Sequence, residues 1–436
     1  MSVVHLGLGA FQRAHQALVF DDLLASGDLR WGVLGVATRS QQLADTLARQ
    51  DGLYTVQLAG AAGSRWRVAG AVVKTCAAVR EPERVHAAIA SPAARWITVT
   101  VTEKGYDAQL AELIVEGLRQ RRAASGGGLT IASCDNLGRN GDKLKALCIA
   151  QAADPALARW IASACRFPNS MVDRIVPAST AACVARAEAS LGVTDHAALL
   201  SEPFWEWVIE DDFVDPTDAA QLAAFSVRVV ADVQPYEEAK LRMLNGSHSA
   251  IACIGAAVGL PTVFDCMAHA PLREFVSRFM TREVMPGLTR PDAGAYRDAL
   301  LKRFDNPAIR HNVHQIATDS SKKIGLRWVP SALSQLQRGA GIEHHAFAAA
   351  AWMRYFRGHD DKGVPFTVND PQAALLARIG RGEARDAARM AAEFLQVESI
   401  WGGELAQAPT WNEAVVRWLR EMQAQGTARA LELLLA

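Results

Sequence analysis

Near its amino terminus the chain reads Val3-Val4-His5-Leu6-Gly7-Leu8-Gly9-Ala10-Phe11-Gln12-Arg13. The apolar run before Gly7 predicts a buried β-strand, and Gly7 with Gly9 predicts a tight turn into a helix. Such a turn brings the backbone close to the pyrophosphate of a dinucleotide, whose negative charge the start of a helix favours. Gln12 replaces the third glycine of the usual fingerprint, so the motif fits an ordinary strand-to-helix turn about equally well.

Further β-branched runs predict strands over 33–37, 71–75, 97–101 and 129–132, with a helix over 107–124 between the last two. Strands that alternate with helices are typical of a doubly wound parallel sheet. From about residue 235, segments rich in Ala, Leu and Arg, such as 346–357 and 371–397, favour helices. We therefore predict an α/β protein: a Rossmann-like dinucleotide-binding domain over 1–235, then a mainly α-helical substrate domain over 236–436, with the active site in the cleft between them.

In a doubly wound sheet the ligand lies beyond the carboxyl ends of the strands. Arg13 is one candidate for cofactor binding, since its guanidinium either pairs with a phosphate near the helix start or is simply exposed. Asn136 follows the fifth predicted strand. The other candidates for cofactor binding follow the first and fourth predicted strands: Gly7, Gly9, Ala10, Phe11, Thr102, Glu103 and Lys104.

The end of the second predicted strand bears on the choice of cofactor. A carboxylate there commonly holds the ribose of NAD, whereas an arginine accommodates the 2′-phosphate of NADP. This chain has Ala37-Thr38-Arg39 at that point and no carboxylate. Arg39 therefore leaves NADP open.

The most distinctive segment is 235–249, which reads PYEEAKLRMLNGSHS. If it forms one α-helix at about 100° per residue, Glu237, Asn245 and His248 lie within about 140° of Lys240 on one face. The same face carries leucines, and a half-buried lysine has a lowered pKa that suits a general base near neutral pH. A solvated polar face is the alternative.

Composition and spacing argue against several classes of protein. The 46 Lys and Arg residues balance 46 Asp and Glu residues, so the positive charge expected of a nucleic-acid-binding protein is absent. The seven cysteines contain no Cys-x-x-Cys pair, and the apolar stretch 250–260 is too short to span a bilayer. The histidine pairs 311/314 and 344/345 lack further ligands at a metal-binding spacing. We expect a cytoplasmic protein with no metal, nucleic-acid or membrane partner.

The chain resembles the mannitol dehydrogenase family, the long-chain, zinc-independent polyol and sugar-acid dehydrogenases. The resemblance covers almost the whole chain, in order, which is far more specific than any single motif. The matching segments are 4–11, 50–55, 102–106, 133–141, 167–174, 235–249, 303–307 and 351–355.

The resemblance implies roles for four residues. Lys240 is expected to be the general base that removes the hydroxyl proton as a hydride leaves the same carbon for the nicotinamide. Asn136 and Asn245 match the amide pair that hydrogen-bonds the developing alkoxide, an oxyanion-hole role. His248 matches the histidine that orients the substrate oxygen.

Two carboxylates and the cofactor also follow from the resemblance. Glu237 matches a glutamate that passes the proton to solvent. Asp173 matches an acidic residue near the catalytic lysine, and the alternative for it is a turn contact or an ion pair with Arg174. The family favours NAD as cofactor, with NADP open because of Arg39.

The expected function is an NAD(P)-dependent interconversion of a secondary alcohol and a ketone on an open-chain sugar acid or polyol. The segments 240–249 and 315–323 are most similar to the branch that acts on D-mannonate and D-fructuronate (fructuronate reductase type). The carboxylate of a sugar acid needs a cation, and Lys322, Lys323 and Arg327 are candidates. The alternatives are a mannitol 2-dehydrogenase, an arabinitol dehydrogenase or a catalytically silent cofactor-binding protein. The sequence leaves the oligomeric state open, a monomer included.

Overall fold

The computed structural model describes residues 2–381 and 386–436. The chain divides into two compact units, Met1–Tyr236 and Glu237–Ala436. In the described residues, no helix has the length and apolar character needed to cross a membrane. The strands, all within the first unit, are β1 Val3–Leu6, β2 Val33–Ala37, β3 Tyr54–Gly60, β4 Gly63–Ala69, β5 Val72–Ala77, β6 Trp96–Val99, β7 Thr130–Ser133, β8 Ser170–Asp173, β9 Leu199–Ser201, β10 Glu206–Glu210 and β11 Arg228–Val230.

The central sheet of the first unit is parallel, with the order β5-β2-β1-β6-β7. This is the arrangement of a Rossmann fold, in which the strand order reverses next to β1. The sheet confirms the predicted fold class, with strand bounds that differ by at most two residues. Two smaller sheets, β4-β3-β9 and β11-β10-β8, were not predicted.

Helices cover both faces of the central sheet because its strands are apolar on both sides. In β1, Val4 and Leu6 pack in one hydrophobic cluster, while Val3 packs in another with Trp31 and Trp207. The helices that begin before the boundary of the units are α1 Ala10–Ala14, α2 Gln16–Ala25, α3 Gln41–Arg49, α4 Pro82–Ala90, α5 Ala108–Ala123, α6 Asn140–Gln151, α7 Pro155–Ala164, α8 Ala181–Leu191, α9 Thr217–Ala224 and α10 Gln234–Ala239.

The second unit is built from helices packed around α11 and α18, whose residues 246–257 and 344–355 are buried. The predicted helix over 371–397 is observed as two helices, and residues 382–385 of it lie outside the described residues. The helices of this unit are α11 Gly246–Val258, α12 Val263–Ala268, α13 Ala270–Arg278, α14 Ala293–Phe304, α15 Val313–Ala317, α16 Ser320–Arg327, α17 Val329–Gln337, α18 Glu343–Tyr355, α19 Ala373–Gly380, α20 Ala387–Leu395, α21 Glu398–Ala406, α22 Pro409–Gln425 and α23 Thr427–Leu435.

The segment predicted as one regular α-helix contains a π-helix, so that prediction was wrong in its geometry. Residues Lys240–Asn245 form this π-helix between α10 and α11. Each π-helical hydrogen bond spans five residues instead of four. Lys240 and Asn245, five residues apart, therefore lie closer to the same side than in a regular α-helix, which would separate them by about 140°.

Candidate active site

The turn after β1 has the shape that a dinucleotide needs. Gly7 has a φ of +105°, and a Cβ there would lie 2.1 Å from the carbonyl oxygen of Thr100. Gly9 has an ordinary extended conformation, and its nearest neighbour to such a Cβ is the Gly7 oxygen at 3.5 Å. Gly7 is thus required by the fold, whereas Gly9 leaves open space from which a ligand can approach the backbone.

A chain of hydrogen bonds between β1 and β6 fixes this turn. The Thr100 hydroxyl donates to the Gly7 carbonyl at 2.8 Å, and the His5 ring bonds Thr100 Oγ1 through Nε2 at 2.9 Å and Thr98 Oγ1 through Nδ1 at 2.8 Å. Since the only hydroxyl hydrogen of Thr100 goes to Gly7, His5 must carry its proton on Nε2. Burial lowers the pKa of His5 to about 3, so the ring is neutral and the chain of donors is unchanged across the physiological range.

Arg13 is bound within the first unit, and its role in cofactor binding stays a prediction. Its side chain is buried, donates to the carbonyl oxygens of Gly9 and Ala197, and lies over the ring of Tyr54. It is not the exposed surface arginine of the alternative. The guanidinium ties α1 to the loop before β9, because a buried cation needs several acceptors to offset its lost hydration.

The loop after β6 is held in an unusual conformation by the loop after β7. Thr102 has φ +67° and ψ 165°, a region that costs a side-chain-bearing residue about 1–3 kcal/mol. The carboxylate of Asp135, next to Asn136, accepts the backbone N–H groups of Val101 at 3.0 Å and Thr102 at 2.7 Å. Asp135 was not predicted as a site residue, and its position after a strand was the only signal for it.

Glu103 and Lys104 lie on a short 3₁₀ turn, Glu103–Gly105, and both are exposed beside Thr102. Ala10 and Phe11 begin α1, where the Phe11 ring stacks on His15 with centroids 5.0 Å apart. The structure therefore places every predicted cofactor residue except Arg13 and Arg39 at the carboxyl ends of β1 and β6.

Arg39 lines a separate cavity of the first unit, with a volume of about 480 Å³. Its walls come from the residues after β2, β5 and β6, together with α4 and α5. Arg39 is exposed, and its guanidinium lies 3.6 Å from the position of a Cβ on Gly105. The cavity also contains Glu83 and the largely buried ring of His86. In a Rossmann fold this edge of the sheet receives the adenosine half of a dinucleotide.

The two other site residues of the first unit lie in different surroundings. Asn136 follows Asp135 and is exposed, whereas Asp173 ends β8 and is buried. Arg174 donates to the carbonyl oxygens of Ala14 and Glu202.

In the second unit, the π-helix carries Lys240 and Asn245, both half-buried, and leads directly to His248 in α11. His248 is buried, and its ring lies 4.7 Å from that of Phe304, between centroids. Glu237 precedes the π-helix in α10 and is half-buried as well. An amine, an amide and an imidazole thus follow one another along a continuous helical segment.

His311 is a neighbour of His248 that sequence reasoning missed. The two rings are perpendicular, with centroids 5.9 Å apart. Burial, and then the positive charge of Lys323, lowers the pKa of His311, so its ring is neutral. His311 was considered only as a metal ligand, because the 62 residues between it and His248 give no sign of the contact.

The candidates for binding a carboxylate differ in their surroundings. Lys322 is exposed, while Lys323 is half-buried and donates to the carbonyl oxygens of Ile316 and Thr318. Arg327 donates to the Asn245 carbonyl and to the Ser249 hydroxyl. The positive charge of Lys323 acts on His311, the neighbour of His248.

The histidines at 344 and 345 serve a structural purpose. Both Nδ1 atoms lie 2.7 Å from the carboxylate of Glu283, which also accepts both backbone N–H groups at the start of α18. Across residues 2–381 and 386–436, no group of three or more His, Cys, Asp or Glu side chains is arranged to hold a metal ion. The seven cysteines are free and buried.

The order of the parallel sheet, the glycine turn at its centre and the lysine, amide and histidine on one helical segment mark the chain as a Rossmann-type oxidoreductase. Family models narrow this further. Residues 1–221 match the mannitol dehydrogenase Rossmann domain, and residues 232–423 match the mannitol dehydrogenase C-terminal domain. The chain belongs to the mannitol dehydrogenase family of polyol and sugar-acid dehydrogenases.

Relatives of known activity span nearly the whole chain. D-mannonate oxidoreductase of Escherichia coli (strain K12) is 36% identical, over 99% of this chain and 95% of that protein. Mannitol 2-dehydrogenase of Pyrenophora tritici-repentis is 33% identical, over 99% of this chain and 81% of that protein. A solved structure of Pseudomonas fluorescens mannitol 2-dehydrogenase, in complex with NAD and D-mannitol, has a TM-score of 0.84 at 31% identity and covers 100% of this chain and 94% of that one.

Proposed function

We propose that this chain interconverts D-mannonate and D-fructuronate, oxidising a secondary alcohol or reducing a ketone of an open-chain sugar acid with a nicotinamide dinucleotide. The observation that carries the proposal is the π-helix, which brings Lys240 and Asn245 closer to one side, shortly before the buried His248. A hydroxyl group that becomes a carbonyl needs a base for its proton and donors for the charge on its oxygen. These three side chains supply both.

In the oxidation, the neutral amine of Lys240 accepts the hydroxyl proton. The amides of Asn245 and Asn136 donate hydrogen bonds to the oxygen while it carries negative charge, and the His248 ring orients that oxygen. When bound, the nicotinamide supplies the acceptor for the hydride that leaves the carbon, or its donor in the reduction. In the reduction, the ammonium group of Lys240 returns the proton.

Two carboxylates complete the proposed site. Glu237, half-buried and three residues before Lys240, passes the proton between the lysine and solvent. Asp173, buried at the end of β8, provides a negative charge that favours the protonated lysine after the transfer. Both roles rest on the match to the family.

A sugar acid is favoured over an uncharged polyol by the groups around His248. Its neighbour His311 feels the positive charge of Lys323. A half-buried lysine near the neutral imidazole of His311 provides the cation and a donor that a carboxylate requires. The similarity to D-mannonate oxidoreductase over nearly the whole chain agrees with this choice.

A polyol substrate is the second candidate. The relative solved with NAD and D-mannitol matches 100% of this chain, and mannitol 2-dehydrogenase activity needs the same lysine, amides and histidine. In that case the positive charge of Lys323 has no carboxylate to bind.

The proposed cofactor site uses the backbone around Gly7, Gly9, Ala10 and Phe11 for the pyrophosphate, and the loop Thr102, Glu103 and Lys104 beyond β6. The space at Gly9 and the 480 Å³ cavity fit such a group. We propose that Arg39 in this cavity accepts a 2′-phosphate, so that NADP(H) binds as well as NAD(H).

The test is a panel of mannonate, fructuronate, mannitol, fructose and arabinitol, each assayed by nicotinamide absorbance with NAD(H) and NADP(H). The sugar-acid proposal predicts the highest kcat/KM for mannonate or fructuronate. Faster turnover of mannitol or arabinitol would establish the polyol alternative. Binding of the cofactor without turnover of any substrate would indicate a catalytically silent protein.

A further inference from the structure

Two consecutive carbonyl groups at the end of the π-helix accept hydrogen bonds from two consecutive side chains. Arg327 Nη1 donates to the Asn245 carbonyl at 3.2 Å, and Trp328 Nε1 donates to the Gly246 carbonyl at 3.0 Å. Arg327 Nη1 also donates to the hydroxyl of Ser249 at 2.7 Å. The corner between α16 and α17 is thus hydrogen-bonded to the junction between the π-helix and α11.

The absence of a side chain on Gly246 allows this corner to pack closely against the start of α11. Trp328 is fully buried, and a Cβ on Gly246 would lie 3.4 Å from the Arg327 carbonyl oxygen and 3.6 Å from the Trp328 ring. A carbonyl oxygen has two lone pairs, so the Asn245 and Gly246 carbonyls can each accept a side-chain hydrogen bond in addition to a backbone one. The two side-chain bonds are therefore compatible with a helical backbone and fix its position.

A π-helix needs such support because it is rare and its bonding differs from that of the α-helices on either side. If residues 240–245 reverted to α-helical bonding, Lys240 would rotate relative to Asn245 and His248. A displacement of a catalytic group by about 1 Å can cost about 10²-fold in rate. Contacts that hold the register at the carboxyl end of this segment therefore affect the chemistry without touching the substrate.

We infer that Arg327 and Trp328 are positioning residues, which hold the π-helical register that brings Lys240 and Asn245 closer to the same side. The inference rests on the proposed role of Lys240 as the base. It also gives Arg327 a task different from binding the carboxylate of the substrate.

The test compares Arg327→Lys, Arg327→Met and Trp328→Phe with the wild-type protein. Two matched controls are available in the second unit. Trp411→Phe removes an indole N–H that is buried and has no partner in the described part of the chain. Arg389→Met removes a guanidinium that is 72% exposed on α20 and pairs with Glu393.

We expect Arg327→Met to lower kcat by about 10²-fold, and Trp328→Phe by about tenfold because one neutral hydrogen bond is lost. KM for the substrate is expected to stay within a few-fold, and the pH profile of kcat is expected to shift because the surroundings of Lys240 change. Guanidinium ions added to Arg327→Met should restore part of the lost rate. The two controls should keep the wild-type kcat.

A raised KM for a sugar acid with unchanged kcat in Arg327→Met would make Arg327 a substrate ligand and overturn the inference. So would wild-type kcat in both Arg327→Met and Trp328→Phe. If Arg327→Met fails to fold, the Arg327→Lys and Trp328→Phe proteins decide by the same criteria. A crystal structure of the slowest folded variant supplies a readout independent of activity. In that variant we expect residues 240–245 to have regular α-helical hydrogen bonds in place of the π-helical ones. Lys240→Met is assayed in parallel, so that a failure of the positioning role can be told from a failure of the proposed base. Normal turnover of Lys240→Met would disprove only the role of Lys240 as the base.

Discussion

The carboxylate of Asp135 accepts the backbone N–H of Thr102 at 2.7 Å and so joins the loop after β7 to the loop after β6. One loop carries Asn136, a proposed oxyanion donor, and the other carries part of the proposed cofactor site. The strained backbone of Thr102, with φ +67°, depends on this carboxylate because few other groups accept two neighbouring N–H donors at once.

Replacement of Asp135 by Asn tests this link. The amide nitrogen of Asn turns one of the two acceptors into a donor that faces a backbone N–H, so the loop loses its fixed shape. We expect the Kd of the cofactor to rise about tenfold, in keeping with the loss of one hydrogen bond to a charged group. Titration of the cofactor by fluorescence measures this, and an unchanged Kd would show that Thr102 is held by other contacts.

The two glycines of the first turn are predicted to respond differently to alanine. In Gly7→Ala the new Cβ meets the Thr100 carbonyl at 2.1 Å on a backbone with positive φ, so the free energy of unfolding should fall by about 3 kcal/mol. Gly9→Ala should unfold like the wild-type protein but bind the cofactor more weakly, because its Cβ enters open space needed by the ligand. Thermal unfolding and cofactor titration on both variants check this contrast.

Lys240→Met is predicted to lower kcat by about 10²-fold or more, since it removes the proposed general base. Methionine keeps much of the apolar stem, so folding and cofactor affinity should change little. Initial rates at saturating substrate, with a cofactor titration as the control, measure the effect. A normal rate would disprove the role of Lys240.

Arg39→Ala tests the proposed site for the 2′-phosphate. Loss of a charge-assisted hydrogen bond should weaken NADP(H) binding about tenfold or more, while NAD(H), which lacks that phosphate, keeps its affinity. Isothermal titration with both cofactors measures the ratio. An equal loss of affinity for NAD(H) and NADP(H) would mean that Arg39 contacts a part of the molecule that the two cofactors share.

Glu283 is predicted to make the free energy of unfolding of the second unit depend on pH in the acidic range. Burial alone raises its pKa, but the hydrogen bonds from His344 and His345 outweigh burial and lower the pKa from 4.5 to about 2. Because the pKa is lower in the folded protein, the stabilisation is present above about pH 4.5 and is lost as the pH falls toward 2. Glu283→Gln should lower the free energy of unfolding by about 3 kcal/mol at pH 7, with a smaller difference from wild type below pH 3. Denaturant titrations across this pH range, with the surface variant Glu432→Gln as control, provide the measurement.

Local patterns were enough to predict much of the fold. The apolar run at residues 3–6 and the glycines after it correspond to β1 and its turn, and Asp107 caps α5 as expected for the start of a predicted helix. The small sheets escaped prediction because their strands are short, and β4 is largely exposed and polar. Pairing with β3 stabilises β4 more than its own sequence does.

The sequence predicted the chemistry of the protein, because residue types and short spacings are local: a glycine turn after a strand, and Lys240, Asn245 and His248 along one segment. Long-range packing settled what local patterns leave open. It buried Arg13 against the ring of Tyr54, placed His311 against His248, and joined Arg327 and Trp328 to a π-helix that propensity does not reveal. Burial and hydrogen bonds between residues far apart in the chain depend on how the elements pack, so the roles of these side chains emerged only in the folded molecule.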